Sequence, residues 1–193
     1  MTTTVTLTDL LRALNAGQII TGDSPLHAVM HQASQDALRV TAELNGSYHD
    51  PAEVRGLLSQ LTGTAVDDST SVFPPFYADF GKNIRLGKRV FINSGCKFQD
   101  QGGIVIGDDC LIGHNAVLAT LDHDLDVARR ADMHPGRIVI GSNVWIGANV
   151  TVVPGVTIGE NSVIGAGAVV TKDIPANSIA VGSPARVLRS LPA

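Results

Sequence analysis

Residues 140–170 read IGSNVWIGANVTVVPGVTIGENSVIGAGAVV, and this stretch decides the fold. An aliphatic residue returns at every sixth position, and a small or β-branched residue stands four positions after each of the first five. In such a hexapeptide the first side chain points inward, the fifth side chain is small and the backbone turns between them. A single unit of this kind cannot form an isolated hairpin. Such a period predicts a repeat architecture. The aliphatic positions are Ile140, Ile146, Val152, Ile158, Ile164 and Val170.

The same phase occurs earlier in the chain, at Leu86, Ile92, Ile106, Ile112 and Leu118. Three hexapeptides make one triangular coil, and stacked coils bond through parallel backbone ladders about 4.8 Å apart. A narrow prism of this kind accepts Ile and Val but few aromatic rings, which agrees with an aromatic content of 4%. Cys96 and Cys110 fall in the small slot of the repeat, so we expect them to fill the core.

The composition of the 193 residues excludes several classes of function. With 14 basic against 18 acidic residues the net charge is -4, so no basic face is expected for nucleic acid or anionic lipid. No stretch of 18 apolar residues occurs, which argues against a membrane-spanning helix. The chain has two cysteines, and its N-terminus lacks a basic segment followed by an apolar one. Both features predict a cytoplasmic protein.

The N-terminal third has a different pattern, which predicts helices. Ser24-Pro25 and Asp50-Pro51 each place a capping residue before a proline, and Glu53 completes a capping box after Asp50. Gly63 is a typical helix stop. We therefore expect an N-terminal helical segment at 1–63 and a mainly β prism domain at 64–193 that ends in a short extension.

The six-residue rhythm is interrupted once on a large scale. Leu118 and Ile140 are 22 residues apart, which exceeds the 18 residues of one full coil, so residues 119–137 must leave the prism as a loop. This excursion carries His123, His134, four aspartates and three arginines. Because loops on rigid scaffolds commonly carry function, we expect the chemistry here.

Several motifs are specific when taken together: Leu14-Asn-Ala-Gly17, Pro74-Pro-Phe-Tyr-Ala-Asp-Phe-Gly81, Val144-Trp-Ile-Gly147, Val170-Thr-Lys-Asp-Ile-Pro175 and Gly182-Ser-Pro-Ala-Arg186. On these motifs the chain resembles the maltose and galactoside O-acetyltransferase family of hexapeptide-repeat acyltransferases. The resemblance implies a left-handed parallel β-helix and an acetyl-CoA-dependent O-acetyltransferase, without a metal, that acts on a hydroxyl of a sugar or sugar-like acceptor. It also implies a homotrimer in which the loop of one subunit completes its neighbour's site. In agreement with this, we expect the loop to have no place to pack on its own prism.

Acyl transfer to a hydroxyl needs a base that can take a proton near pH 7, and imidazole meets that demand. In the resembled family the catalytic histidine lies at this place in the loop, usually in a His-Pro pair. His123 lies the expected short distance after the repeat but is followed by Asp124, while the only His-Pro pair is His134-Pro135. We assign the base to His123 and expect the neighbouring aspartates to fix its tautomer.

The resemblance also assigns the remaining site residues. Asn93 is expected to stabilise the transition state and, with Asp79 and Asp23, to contact the acceptor. Ile20 stands in place of an aromatic and Gln101 in place of an acid, which predicts an acceptor less polar than a plain glucoside or galactoside. The acetyl-CoA donor is expected to contact small residues and cations along the prism, namely Ala148, Ala166, Thr171, Lys172, Arg186 and Arg189.

Two other interpretations stay open at this stage. In the first, the donor site is kept while the acceptor is an antibiotic, an amino acid or another non-sugar molecule. In the second, the prism does not use CoA and is a γ-type carbonic anhydrase or a structural assembly module. A zinc site needs three clustered ligands, and the candidates His114, His123 and His134 are separated by 9 and 11 residues.

Overall fold

A computed structural model describes residues 5–192; residues 1–4 and 193, the outermost parts of the predicted segments 1–63 and 64–193, lie outside the described part. Asp50 caps the third helix through the N–H groups of Ala52 and Glu53, and Gly63, with a left-handed φ of 70°, ends it. None of the described helices has the length and hydropathy needed to cross a membrane. The helices are α1 (Leu7–Asn15), α2 (Leu26–Gly46) and α3 (Pro51–Thr62).

Short parallel strands then wind into a triangular prism, and the chain passes wall 1, wall 2 and wall 3 in turn on each coil. Wall 1 contains β1 (Ser71–Val72), β4 (Phe91–Ile92), β7 (Leu111–Ile112), β12 (Trp145–Ile146), β15 (Val163–Ile164), β17 (Ser178–Val181) and the antiparallel β18 (Arg186–Ser190). Wall 2 contains β2 (Tyr77–Ala78), β5 (Lys97–Gln99), β8 (Val117–Ala119), β13 (Thr151–Val152) and β16 (Val169–Val170). Wall 3 contains β3 (Ile84–Leu86), β6 (Ile104–Ile106), β11 (Ile138–Ile140) and β14 (Thr157–Ile158).

The aliphatic column predicted from the six-residue period lines the inside of the prism. Strand register keeps the column aligned, so that Ile146 pairs with Ile112 on one side and with Ile164 on the other. The six members quoted above, from Ile140 to Val170, are each at most 1% exposed. The fold is a left-handed parallel β-helix preceded by helices, and the predicted fold class is confirmed.

The coils stack so closely at the corners that a methyl group does not fit at some positions. A Cβ built on Gly147 would lie 2.6 Å from the backbone nitrogen of Ala166, so glycine is required there. Cys96 and Cys110 are fully buried, and desolvation raises the pKa of both thiols. They pack as small hydrophobic residues, as the sequence predicted.

Residues 119–137, here called the arm, leave the prism after β8 and return at β11. The arm is a hairpin of β9 (Leu121–His123) and β10 (Met133–Pro135), whose antiparallel strands are joined through a 3-10 helix over Val127–Arg129. The excursion predicted from the interrupted period is therefore an ordered structure with its own strands.

The arm packs on the N-terminal segment of its own chain. Ile20 and Met133 exchange two backbone hydrogen bonds, of 3.0 and 2.9 Å. Both belong to an apolar cluster with Leu10, Leu14 and Phe80. The arm therefore packs without a neighbouring subunit, because α1 and the segment that follows it supply the support that was not expected from its own prism.

Candidate active site

The arm lines a cavity of about 560 Å³. Asp122, His123, Asp124, Leu125 and His134 line it. In the hairpin, His123 stands opposite Met133 and His134 stands opposite Asp122, so the two histidines lie on neighbouring strands. The structure therefore brings both candidate bases to one cavity.

Asp124 contacts His134 and not His123. Nε2 of His134 lies 3.1 Å from Oδ2 of Asp124, and Nη2 of Arg129 lies 3.4 Å from the same oxygen. The backbone N–H of Asp126 donates to Oδ1 at 2.8 Å. That bond, followed by His134 and Arg129, lowers the pKa of Asp124, so the carboxylate is held in its charged form. The expectation that the flanking aspartates fix the tautomer of His123 is wrong for Asp124, whose carboxylate contacts His134.

His123 is exposed at the end of β9. Among residues 5–192 no hydrogen bond holds its imidazole ring, and the residue lines the arm cavity. A general base must reach the proton it removes, and an imidazole without a protein partner keeps its lone pair available. His123 has the freedom that the role requires, and its assignment as base stays a prediction.

The remaining predicted residues divide between two corners of the prism. Asn93, Ala148 and Ala166 follow strands β4, β12 and β15 of wall 1, so they stack at the corner between walls 1 and 2, here called the 1-2 corner. Asp79 follows β2, the arm with His123 follows β8, and Thr171-Lys172 follows β16, so these stand at the 2-3 corner between walls 2 and 3. One chain thus separates the predicted site into two halves.

The width of wall 2 sets the separation between these halves. From Asn93 the chain runs six residues to Gln99, which pairs with Ala119 where the arm begins. Ser94 and Gly95 form the corner turn, and the four residues from Cys96 to Gln99 that follow it span on the order of 13 Å. Within one chain the structure therefore does not bring Asn93 and His123 to a common reaction centre.

Asn93 has the geometry of a donor at the 1-2 corner. Its Oδ1 accepts the N–H of Ser94 at 3.1 Å, and its own backbone N–H bonds to the Ile112 carbonyl. Among residues 5–192 its side-chain NH₂ group has no hydrogen-bond partner. A side-chain amide that is held in place and has an unused NH₂ group can donate a hydrogen bond to a developing oxyanion. This is the role that the resemblance implies for Asn93.

Asp79 and Asp23 lie on the same side of the molecule as the arm. Asp79 is exposed, yet the protein around it desolvates the carboxyl enough to raise its pKa. Asp23 accepts the Thr21 hydroxyl at 2.7 Å, and the adjoining Gly22 N–H bonds to Asp132 of the arm at 2.7 Å. Ile20 is 1% exposed, so it belongs to the core beneath this region and does not line an open pocket.

Asp100 is a buried carboxylate to which the sequence analysis gave no role. It is fully buried, and Oδ1 accepts the N–H groups of Phe80 and Gly81 at 3.0 and 2.9 Å while Oδ2 accepts that of Asn83 at 3.2 Å. Desolvation raises the pKa of Asp100 to about 6, against the opposing effect of these bonds. Asp100 fixes the turn that follows Asp79. Its three N–H donors come from residues about 20 positions earlier in the chain, so no local sequence pattern predicts this role.

The predicted donor residues are accessible from solvent. Ala148 and Ala166 lie on successive coils, and the Gly167 N–H bonds to the Ala148 carbonyl at 2.8 Å. The cations Lys172, Arg186 and Arg189 are exposed, and none of them has a carboxylate within 4.0 Å in the described part of the chain. Cations without acidic partners can meet the phosphates of a nucleotide.

The candidate zinc ligands do not cluster. His114 follows β7 at the 1-2 corner, whereas His123 and His134 lie on the arm at the 2-3 corner. Within residues 5–192 no group of three or more histidine, cysteine, aspartate or glutamate side chains is placed to hold a metal ion.

Comparison with known proteins identifies the family. Family models match the prism: bacterial transferase hexapeptide (six repeats) over residues 137–172, and hexapeptide repeat of succinyl-transferase over residues 103–120. The chain is 40% identical to galactoside O-acetyltransferase of Escherichia coli strain K12 over 151 residues, which cover 77% of this chain and 74% of that protein. The chain belongs to the galactoside and maltose O-acetyltransferase family. It is accordingly an acyltransferase enzyme, as predicted.

Solved structures of the family share the whole architecture. A maltose O-acetyltransferase from Clostridium difficile 630 superposes with a TM-score of 0.86 at 34% identity, over 95% of this chain and 97% of that one. A hexapeptide-repeat acetyltransferase from Vibrio cholerae O1 biovar eltor, complexed with acetyl coenzyme A, superposes with a TM-score of 0.81 at 36% identity. That match covers 95% of this chain and 99% of the Vibrio chain.

Proposed function

We propose that this enzyme transfers an acetyl group from acetyl-CoA to a hydroxyl of a sugar or sugar-like acceptor in the cytoplasm. The exposed, unpartnered imidazole of His123 in the arm cavity supports the chemistry. The names of the galactoside and maltose O-acetyltransferase relatives support the acceptor class, and the acetyl-CoA complex of the Vibrio relative supports the donor.

In the proposed reaction, His123 takes the hydroxyl proton while the acceptor oxygen bonds to the thioester carbon. The Asn93 amide donates to the oxyanion of the tetrahedral intermediate. Collapse of this intermediate breaks the carbon–sulfur bond, and the imidazolium returns its proton to the CoA sulfur. Asp79 and Asp23 accept hydrogen bonds from other acceptor hydroxyls, which orients the reacting one.

We further propose a homotrimer, and the separation of the site between two corners supports it. If wall 2 of each copy faces a three-fold axis, the 1-2 corner of one copy meets the 2-3 corner of the next. A closed ring of this kind repeats one heterologous contact three times. Asn93 of one copy then faces His123 of its neighbour, and each contact completes one active site.

The same assembly gives the donor a path between copies. Ala148 and Ala166 of one copy leave room for the pantetheine arm, since neither has a side chain larger than methyl. Thr171 and Lys172 of the neighbouring copy face that groove, and Arg186 and Arg189 add positive charge for the nucleotide phosphates.

A subunit-mixing experiment tests both the function and the assembly. A screen of acetyl-CoA consumption across glycosides, amino acids and antibiotics first identifies an acceptor. His123→Ala and Asn93→Ala enzymes are then assayed alone and after denaturation together and refolding as an equal mixture. In randomly mixed trimers about one quarter of the sites pair an intact Asn93 with an intact His123, so we expect about one quarter of wild-type activity to return.

The control is each variant refolded alone, which should stay inactive. Mixed trimers that form, as native mass spectrometry would show, but recover no activity contradict a site shared between copies. A stable monomer in sedimentation at micromolar concentration contradicts the trimer, and acetylation of amino acids or antibiotics alone contradicts the sugar acceptor.

A further inference from the structure

The side chain of Asp124 is little exposed, although the arm around it faces solvent. Asp124 is 9% exposed, whereas Leu125 and Val127 are 90% and 82% exposed. A carboxylate lies away from water only where other groups satisfy its oxygens. The reaction proposed above gives this carboxylate no part, so its placement requires another explanation.

Three groups from separate parts of the arm meet at this carboxylate. Nε2 of His134 on β10 lies 3.1 Å from Oδ2, and Nη2 of Arg129 in the 3-10 helix lies 3.4 Å from the same atom. The backbone N–H of Asp126 donates to Oδ1 at 2.8 Å. The carboxylate thus joins the end of β9 to the following turn, the 3-10 helix and β10. Because the three contacts share one side chain, its removal breaks all of them together.

The backbone of His123 depends on this junction. His123 stands opposite Met133, but Met133 uses its N–H and its carbonyl for Ile20. In an antiparallel ladder the backbone groups of Met133 then point away from His123, so this pair shares no backbone hydrogen bond. Directly after His123, the Asp124 N–H donates to the Asp132 carbonyl at 3.1 Å. Asp124 therefore anchors the chain next to His123 through both its backbone and its side chain.

The imidazole of His123 needs such an anchor. Within residues 5–192 no hydrogen bond holds the ring, and the residue is exposed. A base must lie within hydrogen-bond reach of the proton that it removes, and a displacement of about 1 Å can lower a rate about 10²-fold. A ring without contacts of its own keeps its position only where the backbone that carries it is fixed.

We propose that Asp124 is a positioning residue: its contacts hold the backbone of His123, and with it the imidazole, where the acceptor hydroxyl arrives. The proposal rests on the proposed function, since it assumes that His123 is the base. In this arrangement His134 donates a hydrogen bond to Asp124 and does not act as a second base. Asp124 does not touch the reacting atoms, so its loss lowers turnover and leaves donor binding unchanged.

Kinetics of Asp124→Ala test the proposal against a matched control on the same arm. Asp132→Ala also removes an arm carboxylate with a backbone contact, since Asp132 accepts the Gly22 N–H at 2.7 Å, but Asp132 does not line the arm cavity. We expect Asp124→Ala to lower kcat about 10- to 100-fold with KM for acetyl-CoA within about twofold of wild type, and Asp132→Ala to lower kcat less than about threefold. Equal losses in the two variants overturn the proposal, because the arm as a whole then supports the base.

Two substitutions of His134 separate positioning from catalysis. Glutamine places an N–H donor near the site of the imidazole Nε2 but cannot take up a proton as a base. We expect His134→Ala to lower kcat about tenfold and His134→Gln to lower it less than about threefold. Equal kcat values in the two variants overturn the role given to His134.

A double variant decides whether Asp124 acts through His123. If it does, the addition of Asp124→Ala to His123→Ala has no further effect, and the double variant should keep the kcat of His123→Ala within about twofold. A merely structural role of Asp124 would multiply the two losses. Multiplied losses, or wild-type kcat in Asp124→Ala, therefore overturn the proposal while the proposed function stands.

An NMR measurement distinguishes failure of the proposal from failure of the proposed function. If His123→Ala keeps wild-type kcat, His123 is not the base and the proposed mechanism fails by itself. The heteronuclear NOE of the His123 N–H then decides: a lower value in Asp124→Ala than in Asp132→Ala supports the anchor, and equal values overturn it. If Asp124→Ala differs from wild type in circular dichroism or sedimentation, Arg129→Gln replaces it in every comparison, because it removes a single contact of the carboxylate.

Discussion

The aliphatic column inside the prism and the arm at residues 119–137 are neighbours in the chain, yet they are stabilised in different ways. Ile146, for example, lies between Ile112 and Ile164 on the neighbouring coils, in a ladder that repeats along the prism. The arm has one hairpin, the contact of Ile20 with Met133 and a polar group around Asp124. The difference shows that the prism is stabilised by one contact repeated on every coil, whereas the arm is held by a few contacts that each occur once.

Removal of the base should produce the largest effect. We expect His123→Ala to lower turnover by about 10²- to 10⁴-fold, the usual contribution of a general base, with acetyl-CoA affinity little changed. Steady-state kinetics and calorimetry measure the two quantities. His134→Ala is the comparison, because His134 lines the same cavity but is paired with Asp124. A larger loss in His134→Ala would transfer the role of base to that residue.

The column and the arm should differ most clearly in stability. Ile146 is fully buried, so we expect Ile146→Ala to lower the free energy of unfolding by about 2–5 kcal/mol. Leu125 at the tip of the arm is 90% exposed, so Leu125→Ala should change the free energy of unfolding by less than about 0.5 kcal/mol. Urea titration followed by circular dichroism gives both values. Equal losses would show that the arm is held in place as firmly as the prism.

Asp100 lies at the boundary between the two regions, and its raised pKa makes a pH-dependent prediction. The unfolded carboxyl loses its proton near 3.8 and the folded one near 6, so the folded state binds more protons between these values. The contribution of Asp100 to the free energy of unfolding therefore falls as pH rises from 4 to about 6.5, by about 3 kcal/mol. The free energy of unfolding of wild type minus that of Asp100→Asn should show this fall and stay constant above about pH 6.5. A difference that does not vary with pH would contradict the raised pKa.

The donor path predicts a smaller effect on binding. Lys172→Ala and Arg186→Ala should each weaken acetyl-CoA binding by about 1.5–3 kcal/mol, because each removes a charge-assisted contact to phosphate. Calorimetry measures the affinity. Arg39→Ala is the control, since Arg39 is an exposed arginine on α2 that pairs with Asp36. Wild-type affinity in both donor variants would refute the path.

The sequence predicted the prism well because the period of burial is a local property of the chain. Every sixth residue faces the same interior, so Ile146 and Ile164 could be placed without knowledge of any distant contact. Cys96 and Cys110 followed from the same count. The helix caps at Asp50 and Gly63 are equally local, since each is satisfied within a few residues.

The site was less predictable because its contacts join distant segments. Asp124 is adjacent to His123 in sequence but contacts His134, ten residues away, through the fold of the hairpin. The pairing of Ile20 with Met133 crosses more than half of the chain. The separation of Asn93 from His123 follows only when the strands are assigned to walls.

The two backbone bonds between Ile20 and Met133 have a consequence for how such enzymes can diversify. They make the segment around residues 16–24 a support of the hairpin, although the two are far apart in the sequence. A change in this segment can move the hairpin and the cavity that the hairpin lines, while the coils of the prism keep their dimensions. The N-terminal segment is thus the part of the chain in which substitutions can alter the arm cavity without altering the prism.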